Sequence, residues 1–312
     1  MKIFLPGGAG LVGLNLIDYL LENNPNLKIL VVDKKKSSIE IGKKLFPEVE
    51  FLCEDLTQIK NSKWSEKIKD VDSCVMLQAE IGNKDITKFY KNNVESTKII
   101  LNELKKNNCT RLIHISSSVV NSVAKDEYTK TKRMQEKLVE KHWEDALILS
   151  PTLMFGWFDR KHLGWLAKFM RRSIIFPIPG SGNFIRQPLY VRDFCKLIES
   201  GLFDKSLKGK YEITGLERIS YRRLMKELKL SVKAITIFVN LPVPIFAFLL
   251  QIWSFISGNP AFTKSQLKAL VAGDEFKVIN WPKIFNKKPT SLKEAFKETF
   301  NNPKYSKVKV PF

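Results

Sequence analysis

Tyr128 and Lys132, just beyond the triplet Ser116-Ser117-Ser118, are the side chains of this chain best suited to moving a proton. Residues four apart share a helix face, so the Lys132 ammonium can lie beside the Tyr128 phenol. A phenol with pKa near 10 is a poor base at neutral pH, and bringing it to about 7 takes roughly 4 kcal/mol. A cation at about 4 Å, in an effective dielectric of about 20, supplies about that much. A serine hydroxyl opposite would then hold a substrate hydroxyl or carbonyl while the proton moves. The spacing alone is weak support. With 7 Tyr and 42 Lys, about one Tyr-x-x-x-Lys match is expected by chance, and Tyr305 to Lys309 is a second. Context separates the two. Tyr128 follows a strand ending in the serines and opens a charged helix, whereas Tyr305 lies in a basic tail.

The element that would bring a partner to this pair lies at the start of the chain. Lys2-Ile3-Phe4-Leu5 reads as a buried strand, Gly7-Gly8-Ala9-Gly10-Leu11-Val12-Gly13 as a glycine turn, and Leu14 to Leu20 as a helix. Where there is no Cβ the backbone can approach a ligand closely, and the helix dipole favours negative charge, so this is a cradle for pyrophosphate. A second apolar run, Ile29-Leu30-Val31-Val32, ends in Asp33, 20 residues past Gly13, where the ribose-binding acid of a βαβ unit belongs. Asp33 should bond ribose hydroxyls and repel a 2′-phosphate, which favours NAD over NADP. Lys34, Lys35 and Lys36 could soften that repulsion.

Strands and helices alternate through the first 150 residues in the rhythm of a parallel sheet. Val49–Cys53, Ser73–Leu77, Arg111–Ile115 and Ala146–Leu149 read as strands; roughly Ile86–Asn107 and Glu127–His142 read as helices. Past Pro151 the chain is richer in Pro, Phe and Trp and loses this regularity. The expected division is 1–150 as a nucleotide-binding domain and 151–312 as a substrate lobe, with about 186–202 packing back on the first. Cys53, Cys74, Cys109 and Cys195 are widely spaced, which argues against disulfides and a metal site. The opening apolar run of four residues is too short for a secretory signal, so a cytoplasmic setting is expected.

These motifs together resemble the extended short-chain dehydrogenase/reductases of the NAD-dependent epimerase/dehydratase family, over nearly the whole length. Gly7, Gly10 and Gly13 match the family's GxxGxxG, Asp33 its second-strand acid, and Asp55-Leu56 its adenine-contacting pair. Val75-Met76-Leu77-Gln78-Ala79 is similar to its fourth-strand HLAA, and Asn93-Val94-Glu95-Ser96-Thr97 to its NVxGT helix. Ser116 to Ser118 match the serine run whose third position is usually catalytic, and Tyr128 and Lys132 match YxxxK. Ser150-Pro151-Thr152 to Gly156 is similar to RPTxxYG, whose proline borders the nicotinamide.

The resemblance implies a Rossmann-type, doubly wound parallel sheet with a smaller, mostly helical C-terminal lobe. It implies NAD held by Gly7, Gly10, Leu11, Val12, Gly13, Asp33, Asp55, Leu56, Leu77, Ala79, Ser116, Tyr128, Lys132 and Pro151. Ser118, Tyr128 and Lys132 inherit catalytic places, and Ser117 a substrate-binding one. Arg186, at the head of a segment similar to RDYIHVxD, inherits a grip on the diphosphate of a nucleotide sugar. A homodimer is the family's usual assembly. Three departures bear on substrate. Ser118 to Tyr128 spans 10 residues, about half the family's usual loop; Ser150 and Phe155 replace an Arg and a Tyr; and Glu80 replaces a small residue. The short loop also resembles that of a respiratory complex I accessory subunit, which binds cofactor without known turnover. No Asp-Glu pair follows the serines, so epimerisation or reduction is favoured over dehydration. Synthesis of a surface polysaccharide is the expected setting.

Two further features concern partners. The net charge is +20, but the cations are 42 Lys and only 10 Arg scattered along the chain, which disfavours nucleic acid and suits solvated helices. Ala234 to Thr263 is thirty residues without a charge. Pro242 and Pro244 limit a clean helix there to Pro244–Ser257, and fourteen residues at about 1.5 Å reach only about 21 Å, short of a bilayer core. The segment 235–256 is therefore either buried or in peripheral contact with a membrane, where a polyprenyl-linked or sterol-like substrate would be in reach.

Overall fold

The computed structural model describes residues 1–312 except 82, 84, 122–125, 160–161, 257–266, 268–269, 272–275, 309 and 311–312. The apolar runs form β1 (Lys2–Pro6), β2 (Lys28–Asp33), β3 (Glu50–Cys53), β4 (Ser73–Met76), β5 (Arg111–Ile115) and β6 (Leu147–Pro151). Between them lie α1 (Leu11–Asn23), α2 (Lys36–Leu45), α3 (Lys63–Lys67), α4 (Ile86–Phe89), α5 (Ser96–Lys106) and α6 (Glu127–His142). The strands order as β3-β2-β1-β4-β5-β6, all parallel, the arrangement of a Rossmann fold. β4, β5 and β6 are buried along their whole lengths, as continuous apolar runs must be when helices cover both faces. Successive residues serve opposite faces. Ile3 and Leu5 join one core with Leu16, Ile113 and Phe194; Phe4 joins the other with Leu30, Trp64 and Leu112.

The helix read as continuous over 86–107 is broken by a π-helical stretch, Tyr90–Glu95, between α4 and α5. The wider turn accommodates Asn93, which is fully buried. Its Oδ1 accepts from the Glu80 amide at 2.6 Å and its Nδ2 donates to Thr131 Oγ1 at 3.0 Å.

Beyond β6 come β7 (Met154–Phe155), α7 (Leu163–Met170), β8 (Ile175–Pro179), β9 (Ile185–Arg186), β10 (Leu189–Tyr190) and α8 (Val191–Phe203). Then follow β11 (Gly209–Ile213), β12 (Ile219–Ser220), α9 (Tyr221–Ser231), β13 (Ile237–Leu241), α10 (Val243–Ile256), α11 (Trp281–Ile284) and α12 (Leu292–Asn301). α8, largely within the stretch 186–202, packs on α1, and β11, outside both that stretch and 1–150, adds to the main sheet as a seventh strand, parallel to β6. The second lobe has a separate core around Phe155, Met170, Phe176, Leu224 and Phe296. Its strands form three short ladders, β7 with β10, β8 with β13 and β9 with β12. Among the described residues no helix is long and apolar enough to cross a membrane.

Candidate active site

The strand order reverses between β1 and β4, and ligands of open parallel sheets lie at the carboxyl ends of the strands at such a point. The glycine turn stands there. Gly7 adopts φ +74°, and a Cβ on it would come within 2.4 Å of the Gln78 backbone. A Cβ on Gly13 would sit 2.0 Å from the Gly8 carbonyl oxygen, so α1 approaches the turn as closely as glycine permits. Gly10 differs: a Cβ there would meet nothing nearer than the Gly7 oxygen at 4.0 Å. Gly10 is the N-cap of α1, no side chain caps that end, and its first turn carries no acid. Leu11 and Val12, half-buried, begin the helix. The amides and dipole of this helix end therefore face space that suits a pyrophosphate.

Asp33 ends β2. Burial pushes its carboxyl above the usual range, while the amides of Lys35 and Ala9 and the Lys34 charge oppose the shift. The Lys34 ammonium is held 2.9 Å from the Glu80 carboxylate. Glu80, notable in the sequence only as a departure, is thus a hub that also accepts from Asn83 at 3.0 Å and Asn92 at 2.6 Å. Asp55 accepts from the Thr57 amide at 2.9 Å and pairs with Lys91 at 2.8 Å, and Leu56 is buried in the sheet core. The Leu77 amide bonds the Pro6 carbonyl at 3.0 Å, extending β4 toward the turn, and Ala79 is exposed beyond it. Pro151 closes β6 and is buried.

The proton-transfer group forms where α6 begins beside the end of β5. Asp126 caps α6 by accepting from the Thr129 amide at 2.9 Å, which sets Tyr128 in its first turn and Lys132 one turn further on. At the phenol, the Ser117 hydroxyl is the neighbour that favours the phenolate. Ser118, to which the resemblance gives the catalytic place, opens a tight helical turn, Ser118–Asn121, and is buried. Ser116 instead donates to the buried Glu136 at 2.5 Å, and Glu136 is also paired with Lys210 of β11.

The hydrogen bonds of Lys132, the expected charge partner of the phenol, run to the end of β5 and along α6. The Lys132 amine, almost fully buried, donates to the Ile115 carbonyl at 3.0 Å and to Gln135 Oε1 at 2.5 Å. Burial lowers its pKa to about 7, against the opposing pull of Glu136. Burial likewise dominates at Tyr128, raising the phenol above its ordinary value, and the Asp126 charge adds to that. Gln135 passes the contact on through Thr97, 2.8 Å from its Nε2, and Thr97 also accepts from Gln78 at 3.2 Å. His114, one residue before Ile115, is fully buried, and neither ring nitrogen has a protein partner. Burial first, and Lys132 second, hold its pKa well below the usual imidazole value. Sequence reasoning missed Gln135 and Glu136, although their spacing of three and four from Lys132 puts them on its helix face.

Arg186 stands apart from the Tyr128 group in the contacts it makes. It lies in β9, and its guanidinium donates to the Leu270 carbonyl at 2.5 Å. Gln187 beside it binds both backbone groups of Phe276 at 2.9 Å. A cavity of about 270 Å³ in the second lobe is lined by Phe155, Tyr190, Glu217, Trp281 and Leu292 among others, and includes none of the serine, tyrosine or lysine residues above. All four cysteines are free thiols, and among the described residues no cluster of His, Cys, Asp or Glu could hold a metal.

Comparison with known proteins agrees with this architecture. The chain is 26% identical over 249 residues to the low-salt glycan biosynthesis protein Agl12 of Haloferax volcanii, covering 70% of this chain and 78% of that protein. It is 24% identical over 236 residues to the mitochondrial NADH dehydrogenase [ubiquinone] 1 alpha subcomplex subunit 9 of Mus musculus. That match covers 72% of this chain but spans only 61% of the mouse protein. Among solved structures, UDP-glucuronic acid 4-epimerase from Bacillus cereus, in complex with UDP-glucuronic acid and NAD, superposes with a TM-score of 0.71. The identity is 21%, over 96% of this chain and 98% of the other, so that likeness speaks for the fold. The sequence pattern of the NAD dependent epimerase/dehydratase family matches residues 3–213, and this chain belongs to that family.

Proposed function

We propose that this chain is an NAD-dependent enzyme that acts on a nucleotide-activated sugar by epimerisation or reduction, in the making of a surface polysaccharide. The observation that carries the reading is the conjunction of two features at the carboxyl end of one sheet. One is the open, uncapped helix end at Gly10; the other is Tyr128 in the first turn of α6, where Ser117, just past the end of β5, favours the phenolate. Gly7, Gly10, Leu11, Val12 and Gly13 would hold the cofactor's pyrophosphate and Asp33 its ribose. Asp55, Leu56, Leu77, Ala79, Ser116 and Pro151 would border the rest of it. When bound, NAD supplies an acceptor and donor of hydride. Asp33 favours NAD over NADP, and Glu80, by engaging Lys34, removes one cation that could have welcomed a 2′-phosphate.

Tyr128 Oη takes the proton from the reacting sugar hydroxyl and returns it. Ser117 favours the phenolate, and Ser118 and Arg186 would contact the sugar nucleotide. Lys132 fixes the Ile115 carbonyl at the end of β5, and with it the approach to the serine run. Its protonated amine is the cation one turn from the phenol. The likeness to a UDP-glucuronic acid 4-epimerase supports a UDP-sugar as first substrate to try. In an NMR assay of C4 inversion with UDP-glucuronic acid and UDP-glucose, Tyr128→Phe should lower kcat by about 10²–10⁴-fold with cofactor binding intact. Equal turnover by wild type and Tyr128→Phe would remove the tyrosine from the reaction.

A second reading rests on the similarity to the NADH dehydrogenase subunit, together with a phenol that burial leaves above its ordinary pKa. In it the chain binds cofactor without turnover. Bound NAD with no change in any nucleotide or lipid-linked sugar would favour that reading.

A further inference from the structure

The ladder of β8 and β13, with α10 packed on β8, builds an apolar face that is open to solvent. Register sets Ile237 opposite Ile175. Ile174 and Ile175 are 65% and 56% exposed, and Ile235 and Ile237 are 81% and 61% exposed. Thr236, between the last two, points inward and bonds the carbonyls of Met170 at 2.7 Å and Ser173 at 2.8 Å. Ile235 and Ile237, on either side of it, therefore face outward, as alternation along an extended chain requires. On α10 the exposed large apolar residues are Ile245, Phe248, Leu249, Ile252 and Trp253, with Pro244, Gln251 and Ser254 exposed among them. That spacing is the stripe by which a helix normally faces a core. Here the stripe faces solvent, while Phe246, Ala247 and Leu250 are half-buried.

Charge identifies the occupant. Residues 160–192 and 228–273, the segments that contain this face, hold no Asp or Glu. Arg171 and Arg172, both exposed, stand just before Ile174, and exposed Lys233 just before Ile235. The Lys229 ammonium lies 5.7 Å from the centre of the Phe238 ring. A second copy of the chain packed on this face would bring like charges together. An anionic lipid surface offers the opposite charge at the rim and hydrocarbon for the ridge. Fourteen residues of α10 are too few to span a bilayer but suit a helix lying in the headgroup layer, with Trp253 at the boundary.

We propose that the β8–β13–α10 face docks this protein on an anionic membrane, with Ile245, Phe248, Leu249, Ile252 and Trp253 inserted and Arg171, Arg172 and Lys233 on headgroups. The docking is independent of the redox reading. It is tested by co-sedimentation of the whole chain with vesicles of phosphatidylcholine alone or mixed with phosphatidylglycerol. The expected result is binding to the mixed vesicles, weakened by salt and about thirtyfold weaker in Arg171→Ala/Arg172→Ala. Phe248→Glu/Trp253→Glu, changes at exposed positions, should sediment no better than without vesicles while keeping the wild-type melting temperature. Three results would overturn the proposal. They are no binding to the mixed vesicles by wild type, binding that survives the Phe248/Trp253 substitutions, and a wild-type dimer, indifferent to vesicles, that those substitutions split.

Discussion

Lys132 carries most of the electrostatic tension at the level of single residues. Its folded pKa of about 7 lies below the ordinary 10.5, with burial as the cause. Between those values the unfolded chain binds the proton more tightly than the folded one. This group therefore costs stability below pH 7, and the cost is relieved as pH rises toward 10.5. The wild type should gain stability relative to Lys132→Met across that window, by about 1.4 kcal/mol per pH unit at the steepest. Urea denaturation of both proteins at several pH values measures it; parallel curves would mean the amine titrates normally. Ser117 is the second residue that matters here, because its hydroxyl is what favours the phenolate. Which of three adjacent serines faces the tyrosine depends on the turn that begins at Ser118, and residue type alone does not show that.

The site at the level of elements is a strand end, a glycine turn and two helix starts. Gly10 and Gly13 lie three residues apart yet should respond oppositely to substitution. Gly13→Ala puts a Cβ against the Gly8 carbonyl and should destabilise the fold by about 1–3 kcal/mol. Gly10→Ala puts a Cβ where the nearest atom is the Gly7 oxygen at 4.0 Å, and should leave the melting temperature near wild type while weakening cofactor binding. Thermal melts with and without NAD distinguish the two. These elements were legible because β1 and β2 are unbroken apolar runs closed by glycine or by Asp33. β11 was not: Gly209-Lys210-Tyr211-Glu212-Ile213 is an edge strand, buried only at its last residue, and carries no apolar run. The π-helical stretch was equally hidden, since it answers to Asn93 contacting Glu80 and Thr131, residues distant in sequence. The Lys132 contact with Ile115 has the same character, being set by how α6 seats on β5.

At the scale of the whole molecule, charge on α1 ties that helix to α8 and to residues 304–305. Asp18, almost fully buried, receives Arg192 of α8 at 2.5 Å, Lys304 at 2.8 Å and the Tyr305 hydroxyl at 2.8 Å. The Arg192 guanidinium also lies 5.0 Å from the centre of the Trp157 ring. Removing one partner of a buried carboxylate costs more than the pair contributes, because the charge is left uncompensated. Arg192→Ala should lose about 3 kcal/mol in denaturant unfolding, the low end of that range because Lys304 and Tyr305 remain. A loss within experimental error would mean α8 is held on α1 by apolar packing alone. The central claim, that a nicotinamide cofactor binds over Gly10, is tested most directly by calorimetric titration of NAD into the whole chain after stripping of bound nucleotide. The account predicts saturable binding at one site per chain, tighter for NAD than for NADP. A folded protein that binds neither would contradict it.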